Sequence, residues 1–176
     1  MVPEILFVTA VGAFLVYFSK LVNKGPEMRI SNKKILADVN PEVRRRANVV
    51  LDNAATVFEP DHLSVGAFAG LRSLRDEKKS EDKGRSWLSI PLSSYHVWGL
   101  AVDFVFIKNG NWTWKPTGNA GEDRALWERL GTLIRDAGFE WGGDWHHFDG
   151  PHAQLPLFNV ASLKVRYQMP ANYIRT

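Results

Sequence analysis

One acidic residue interrupts an otherwise apolar segment, LAVDFVFI, at residues 100–107. Such a run is typical of a strand that is buried on at least one face, so the carboxylate of Asp103 must be paired or bound to a cation. His96 lies earlier in the chain, across a glycine that allows a turn, and His152 follows a Gly-Pro pair that prevents a helix there. An arginine distant in sequence is the alternative partner for the acid.

Two imidazoles and one carboxylate are a suitable ligand set for Zn²⁺, because they leave a fourth position open for water. Bound water on such an ion is acidified toward a pKa of ~7, and a second carboxylate nearby could take its proton and pass it to a leaving amine. The chain contains no Cys, which excludes thiolate sites, disulfides and cysteine nucleophiles. On spacing alone, any single histidine is more simply explained as a solvated or a core residue than as a metal ligand.

The surrounding segments indicate a small α+β domain with an antiparallel sheet flanked by helices. Asn40-Pro41-Glu42 is a good helix start, and apolar residues recur at helical spacing as far as Phe58. An Asn-Gly pair after residue 108 predicts a hairpin. The remaining expected elements are strands at 65–71, 100–107 and 112–115 and a helix at 122–137. The charged stretch at 76–85 is expected to be solvated, either as a loop or as an exposed helix.

The N-terminal residues 1–22 have a different composition. Residues 5–18 carry no charge and the apolar run continues to residue 22, which as a helix is ~27 Å long against a bilayer core of ~30 Å. We expect a membrane anchor here, or else a hydrophobic helix buried against the domain or a partner. Residues 23–34 are expected to be a linker and residues 35–176 the folded domain. The basic residues that follow the helix favour a cytoplasmic location for the folded domain. The orientation of the helix in the membrane stays open.

The composition as a whole is that of one globular domain. The chain has 176 residues, 45% of them hydrophobic, enough for a substantial core. The formal net charge of +3 is too small to indicate nucleic-acid binding, and no nucleic-acid partner is expected. The oligomeric state is left open.

Several motifs resemble those of the zinc D-Ala-D-Ala carboxypeptidase and L-alanyl-D-glutamate endopeptidase family, which includes bacterial cell-wall peptidases and phage endolysins. Residues 94–103 read SYHVWGLAVD and match its SxHxxGxAxD signature. Residues 138–145 (GFEWGGDW) are similar to G-x-E-W-G-G-D-W, and residues 149–152 (DGPH) to D-x-P-H. Residues 70–73 (GLRS) resemble a G-x-R-S element. The resemblance covers roughly residues 40–155 and implies a hedgehog/D-Ala-D-Ala peptidase-like fold.

Carried over position by position, the resemblance implies that His96, Asp103 and His152 bind one Zn²⁺ ion. It implies that Asp149 is the general base and acid. It also implies that Arg72 lies near the scissile carbonyl and stabilises the negative charge that develops there. Another divalent ion is an alternative to zinc, because histidine and carboxylate sites select metals loosely.

Three further residues are expected to contact or support the substrate. Ser94 would support the metal ligands by hydrogen bonding, although a plain turn residue is as good an interpretation. Trp145 would stack on substrate, with core filling as the alternative for the tryptophans in general. His147 would touch substrate or assist protonation, unless it is only a solvated loop residue. Glu77 stands where the family often has Gln, which puts any amide contact at that position in doubt.

The function that this resemblance implies is zinc-dependent hydrolysis of a peptidoglycan stem-peptide amide, with L-Ala–D-Glu as the expected bond. The Asp-Gly-Pro-His ending favours the endopeptidases over the dipeptidases of the family. The alternatives are a D,D-carboxypeptidase or dipeptidase, and a non-catalytic module stabilised by zinc. We expect a membrane-tethered domain facing the periplasm or cell wall, or a virion-associated protein.

Overall fold

The structure is a computed structural model that describes residues 32–82 and 94–156. The expected hydrophobic helix at 5–22 lies outside these residues, so the membrane anchor remains a prediction. A search of the described part of the chain finds no helix that is both long and apolar enough to cross a bilayer. The expected linker lies outside it too, except at its end, where residues 32–35 form a helical turn instead. This turn is closed by a hydrogen bond of 2.9 Å from the Leu36 N–H to the Asn32 carbonyl.

An antiparallel sheet with helices packed on it forms the described domain, which confirms the α+β prediction. The strands run in the order β1-β2-β5-β4, and β3 pairs with β2 beside this path. In chain order the elements are α1 (Pro41–Val57), β1 (Leu63–Ala69), α2 (Leu74–Asp82), β2 (Ala101–Lys108), β3 (Asn111–Thr113), α3 (Ala120–Asp136), β4 (Glu140–Trp141) and β5 (His152–Gln154).

Helix α1 begins where the sequence predicted. The Asn40 side chain accepts a hydrogen bond of 2.9 Å from the Glu42 N–H, and Pro41 occupies the first helical position. One face of the helix is buried against β1 and α3. That face consists of Val43, Ala47, Val50 and Ala54. Burial of this apolar stripe, rather than intrinsic propensity, fixes the helix on the sheet.

Strand β2 forms the centre of the sheet and divides it into two chemically different faces. Phe104 and Phe106 are fully buried in the core under the helices. Side chains alternate along a strand, so Asp103 lies on the opposite face. The strand ends in the predicted hairpin, in which Asn109 and Gly110 both have positive φ angles of 51° and 76°.

Helix α2 occupies part of the stretch that was expected to be solvated. It spans Leu74–Asp82, and the exposed-helix alternative is therefore the correct one for these residues. The prediction is wrong for Glu77, which is only 2% exposed. A buried carboxylate requires a partner, and Arg72 provides one at 2.7 Å.

Helix α3 lies directly on Trp141, and this contact leaves no room for a side chain at Gly131. A Cβ atom added there would lie 2.5 Å from the indole ring, which is fully buried. We expect Gly131→Ala to lower the free energy of unfolding by about 1–3 kcal/mol through overpacking. Urea denaturation measures this loss.

The matched control is Gly121→Ala in the first turn of the same helix. There the added Cβ would meet only the Asn119 Oδ1 atom, at 3.5 Å. Alanine should be neutral or stabilising by about 0.5–1 kcal/mol at this site. Equal stability of the two variants would mean that Trp141 moves aside at no cost.

Candidate metal centre

The pairing of β2 with β5 places two candidate ligands side by side. The strands are antiparallel, and Asp103 lies directly opposite His152 in their register. Cross-strand neighbours of this kind have Cβ atoms about 4.5–5.5 Å apart. The short strand β5 follows the Gly-Pro pair, as the sequence indicated, so the backbone alone brings the carboxylate and the imidazole together.

His96 reaches the same place from a 3-10 turn at Tyr95–Trp98. Gly99 follows with a φ of 66°, a conformation that favours glycine, and turns the chain into β2. The Leu100 N–H closes the turn on the Tyr95 carbonyl at 2.9 Å. The His96 side chain is 3% exposed, so its ring is held in place by packing as well as by the turn.

The three side chains converge on one small volume. The Nε2 atom of His96 lies 3.1 Å from Oδ1 of Asp103, and the Nδ1 atom of His152 lies 3.2 Å from the same oxygen. The two nitrogens are 3.2 Å apart. One ligand atom from each residue can be chosen so that all lie within 4.8 Å of one another. The structure therefore places the predicted ligand set together.

Hydrogen bonds on the far sides of the two rings make these nitrogens suitable for metal binding. The Nδ1 atom of His96 donates to the Gly70 carbonyl at 2.8 Å, because a carbonyl can only accept. The Nε2 atom of His152 is 3.0 Å from the side-chain oxygen of Gln154. Each ring thus has an outer partner and directs its other nitrogen inward, which is the usual arrangement of a metal-bound histidine. Two nitrogen donors and one oxygen donor fit Zn²⁺.

Arg72 links the candidate metal site to α2. Its guanidinium donates to Glu77 at 2.7 Å and to Oδ2 of Asp103 at 3.4 Å. The alternative proposed from sequence, a distant arginine pairing with the buried acid, is therefore also correct. Burial alone would raise the pKa of Asp103, but the charge of His96 and the hydrogen bonds from His152 and His96 outweigh it and lower the pKa well below its usual range. The carboxylate is ionised at neutral pH.

Asp149 lies beside this cluster, held by the turn at Gly142–Asp144. Its N–H donates to the Gly142 carbonyl at 3.0 Å, and its own carbonyl accepts from the His152 N–H at 3.1 Å. A Cβ at Gly142 would lie 2.6 Å from the Asp149 carbonyl oxygen, so only glycine allows this approach. Burial raises the pKa of Asp149, and the positive charge of His152 opposes that shift only in part. The raised pKa makes this carboxylate a better proton acceptor than an exposed aspartate.

Of the other predicted site residues, Trp145 and Ser94 lie next to the candidate ligands, whereas His147 lies at the surface. The Trp145 ring lies 5.0 Å from the His152 ring and is 36% exposed. Ser94 is buried immediately before the turn that carries His96, and its carbonyl accepts from the Val97 N–H at 3.2 Å. His147 is exposed and packs edge-to-face on His146, with ring centroids 4.8 Å apart. The structure does not assign a substrate contact to any of the three predicted residues.

Sequence reasoning missed Gln154 as a partner of the site and misjudged Glu77. Gln154 could have been found, because side chains two apart in a strand share a face and His152 was already a candidate. Glu77 was noticed only as a departure from the family pattern. Its burial could not have been inferred from the charged run DEKKSEDKGR that surrounds it.

Comparisons with known proteins agree with the motifs. Residues 90–155 match a family described as D-alanyl-D-alanine carboxypeptidase. The chain is 27% identical over 136 residues to the peptidoglycan L-alanyl-D-glutamate endopeptidase CwlK of Bacillus subtilis (strain 168), covering 72% of this chain and 78% of that protein. It is 34% identical over 84 residues to the L-alanyl-D-glutamate peptidase of Listeria phage A118, covering 47% of this chain but only 28% of that protein.

A solved structure resembles the fold as well. The Serratia marcescens L-Ala D-Glu endopeptidase ChiX superposes with a TM-score of 0.53 and 26% identity, over 72% of this chain and 86% of that one. Motifs, ligand geometry and relatives point the same way. Residues 90–155 are similar to the D-alanyl-D-alanine carboxypeptidase family, and the chain is similar in sequence and fold to L-alanyl-D-glutamate endopeptidases.

Proposed function

We propose that this protein is a zinc-dependent peptidoglycan peptidase that hydrolyses the L-Ala–D-Glu bond of stem peptides. The observation that carries the proposal is the convergence of His96, Asp103 and His152, whose ligand atoms lie within 4.8 Å of one another. The relatives support this choice of bond, since CwlK and the phage A118 enzyme are L-alanyl-D-glutamate peptidases and ChiX is an L-Ala D-Glu endopeptidase.

His96, Asp103 and His152 would hold the ion. When bound, zinc supplies Lewis acidity, which acidifies water and polarises a carbonyl group. The chain contributes the geometry: both imidazoles present their inner nitrogens, and the single carboxylate between them remains ionised because its pKa is lowered. Three protein ligands leave room for substrate and solvent, as expected of a catalytic rather than a structural site.

Asp149 is the proton carrier in this proposal. It takes a proton from the attacking water and delivers it to the nitrogen of the departing amine, so that the C–N bond breaks to give a carboxylic acid and an amine. The raised pKa of its half-buried carboxyl supports both steps, because the group can be a base in the first and an acid in the second.

Arg72 has two roles in the proposed reaction. Its guanidinium holds Asp103 in place from the side opposite the imidazoles and is in turn held by the buried Glu77. Its charge stabilises the negative charge that develops on the scissile carbonyl oxygen. A fixed guanidinium is preorganised for this role, because little rotamer freedom is lost during the reaction.

Three residues near the candidate ligands would contact the substrate or support the site. Trp145 is partly exposed next to His152, so its ring can pack on the stem peptide. His147 lies on the same loop and is accessible to substrate or to a proton. Ser94 precedes the His96 turn and would support it from within the protein. These three assignments complete the proposed site.

Hydrolysis of the terminal D-Ala residue is the second candidate function. It is favoured by the description of the matched family as D-alanyl-D-alanine carboxypeptidase. The same metal ligands and the same proton carrier would serve either bond, so the two candidates differ only in how the substrate is placed.

Digestion of purified sacculi, followed by mass spectrometry of the muropeptides, distinguishes these functions. We expect new N-terminal D-Glu, loss of this product when a chelator removes the metal, and recovery when zinc is added back. Release of terminal D-Ala would support the carboxypeptidase instead. Stoichiometric zinc without any cleavage product would indicate a non-catalytic module and contradict the proposal.

A further inference from the structure

We propose that Gln154 and Glu140 are positioning residues that determine which nitrogen of His152 faces the metal. The inference rests on the proposed metal site. It adds a series of hydrogen bonds that fixes the tautomer of His152. It concerns three side chains that follow one another from the surface to the ligand: Trp145, Glu140 and Gln154.

The contacts form an unbroken series of hydrogen bonds. The Trp145 indole N–H donates to Oε1 of Glu140 at 2.9 Å. The Gln154 amide nitrogen donates to Oε2 of the same carboxylate at 3.2 Å. The amide oxygen of Gln154 then lies 3.0 Å from Nε2 of His152. The strand pairing that sets Glu140 opposite Gln154 keeps these groups in line.

The donor and acceptor properties of these groups allow only one assignment of the hydrogen bonds in the series. An indole nitrogen can only donate, and an ionised carboxylate can only accept. Both oxygens of Glu140 therefore face donors, and the Gln154 amide must direct its NH₂ group toward Glu140. Its oxygen consequently faces His152, where it can only accept. A hydrogen on His152 thus lies on Nε2, which leaves Nδ1, on the side of Asp103 and His96, as the nitrogen that an ion would use.

Burial strengthens the hydrogen bond between Gln154 and His152 that fixes the tautomer. Gln154 is 7% exposed and His152 is 8% exposed, so water competes poorly for the bond between them. A histidine of the opposite tautomer would carry its hydrogen on Nδ1 and could not bind an ion from that side. The polar partners of metal-bound histidines contribute about 10- to 100-fold to metal affinity.

Replacement of Gln154 tests the inference. Gln154→Leu retains the approximate size of the side chain but removes the acceptor from His152. We expect its zinc dissociation constant, measured by competition with a chromogenic chelator, to rise about 10- to 100-fold. Unchanged affinity would overturn the inference.

The exchange of the two residues provides a rescue. In the double variant Glu140→Gln/Gln154→Glu, residue 154 still accepts from His152. Residue 140 can donate to it through its NH₂ group and accept from Trp145 through its oxygen. We expect the double variant to bind zinc more tightly than Gln154→Leu, approaching the wild-type affinity. A double variant that binds no more tightly than Gln154→Leu would contradict the proposed role of the hydrogen-bond series.

A control variant tests whether any polar change near the site alters zinc affinity. Asp144 lies in the turn next to the site, is exposed, and pairs with Arg135 at 2.8 Å. Asp144→Asn removes one negative charge without entering the series, so its zinc affinity should be unchanged. A loss as large as that of Gln154→Leu would mean that affinity responds to any polar change near the site, and would contradict a specific role of the hydrogen-bond series.

Nuclear magnetic resonance of the zinc-loaded wild-type protein gives a readout that needs no variant to fold. We expect a solvent-protected hydrogen on Nε2 of His152 and a metal shift on Nδ1. The reverse assignment would overturn the inference while leaving the metal site intact. If the wild-type protein binds no zinc, the proposed function fails, and this result is distinct from a change confined to the variants.

Discussion

Asp149→Asn should bind zinc with nearly wild-type affinity and yet lose peptidoglycan cleavage by about 10²- to 10⁴-fold, the usual contribution of a positioned proton carrier. The substitution is nearly isosteric, so the close approach of residue 149 to Gly142 is retained. What it removes is the carboxyl group whose pKa is raised by burial. An amide can neither take the proton of an attacking water nor return it to an amine.

Two measurements check this result. Initial rates on purified sacculi give the loss of activity, and chelator competition gives the zinc dissociation constant. Asp144→Asn is again the control, because it removes a neighbouring but exposed carboxylate. If Asp149→Asn retained more than a tenth of the wild-type rate, another group would have to carry the proton.

The second large effect is expected for Asp103→Asn, which should abolish tight zinc binding. Asp103 is the only anion among the three ligands, and its Oδ1 atom lies between the two imidazoles. Its loss also leaves the Arg72 guanidinium, which now lies 3.4 Å from Oδ2, facing the site without this counter-charge. A dication would then meet a fixed positive charge in a poorly solvated place.

Thermal unfolding with and without zinc measures this loss. For the wild-type protein, zinc at about a thousandfold above its dissociation constant should add about 4 kcal/mol to the free energy of unfolding. Asp103→Asn should show almost none of this increment. An increment equal to that of the wild-type protein would show that Asp103 is not a ligand and would remove the basis of the proposed metal centre.

The sequence was sufficient for the parts of the fold that follow from local rules. The start of α1 at Pro41, the Asn109-Gly110 hairpin and the apolar strand β2 all depend on short-range signals, and each was predicted within a few residues. The candidate ligands His96, Asp103 and His152 were predicted through family motifs, and the register of β2 and β5 explains why Asp103 and His152 meet.

The burial of Glu77 and the contact between Gln154 and Glu140 could not be predicted from the sequence, because they depend on tertiary packing. Glu77 appears in a run of charges that is normally solvated, and that run does not reveal its burial beside Arg72, whose guanidinium also reaches Asp103 of β2. The Gln154 and Glu140 contacts require the pairing of β4 with β5, two very short strands without a periodic pattern of their own. The predicted roles of Ser94 and His147 remain predictions.

The candidate ligands Asp103 and His152 are 49 residues apart in the chain and meet where β2 and β5 are paired through only three residue pairs. Folding alone assembles them, so the free energy of binding an ion there is also free energy of folding. The chain has no cysteine, and a metal cross-link would thus replace the disulfides on which many exported proteins depend. Zinc supply would then govern the resistance of the domain to proteolysis as well as its turnover.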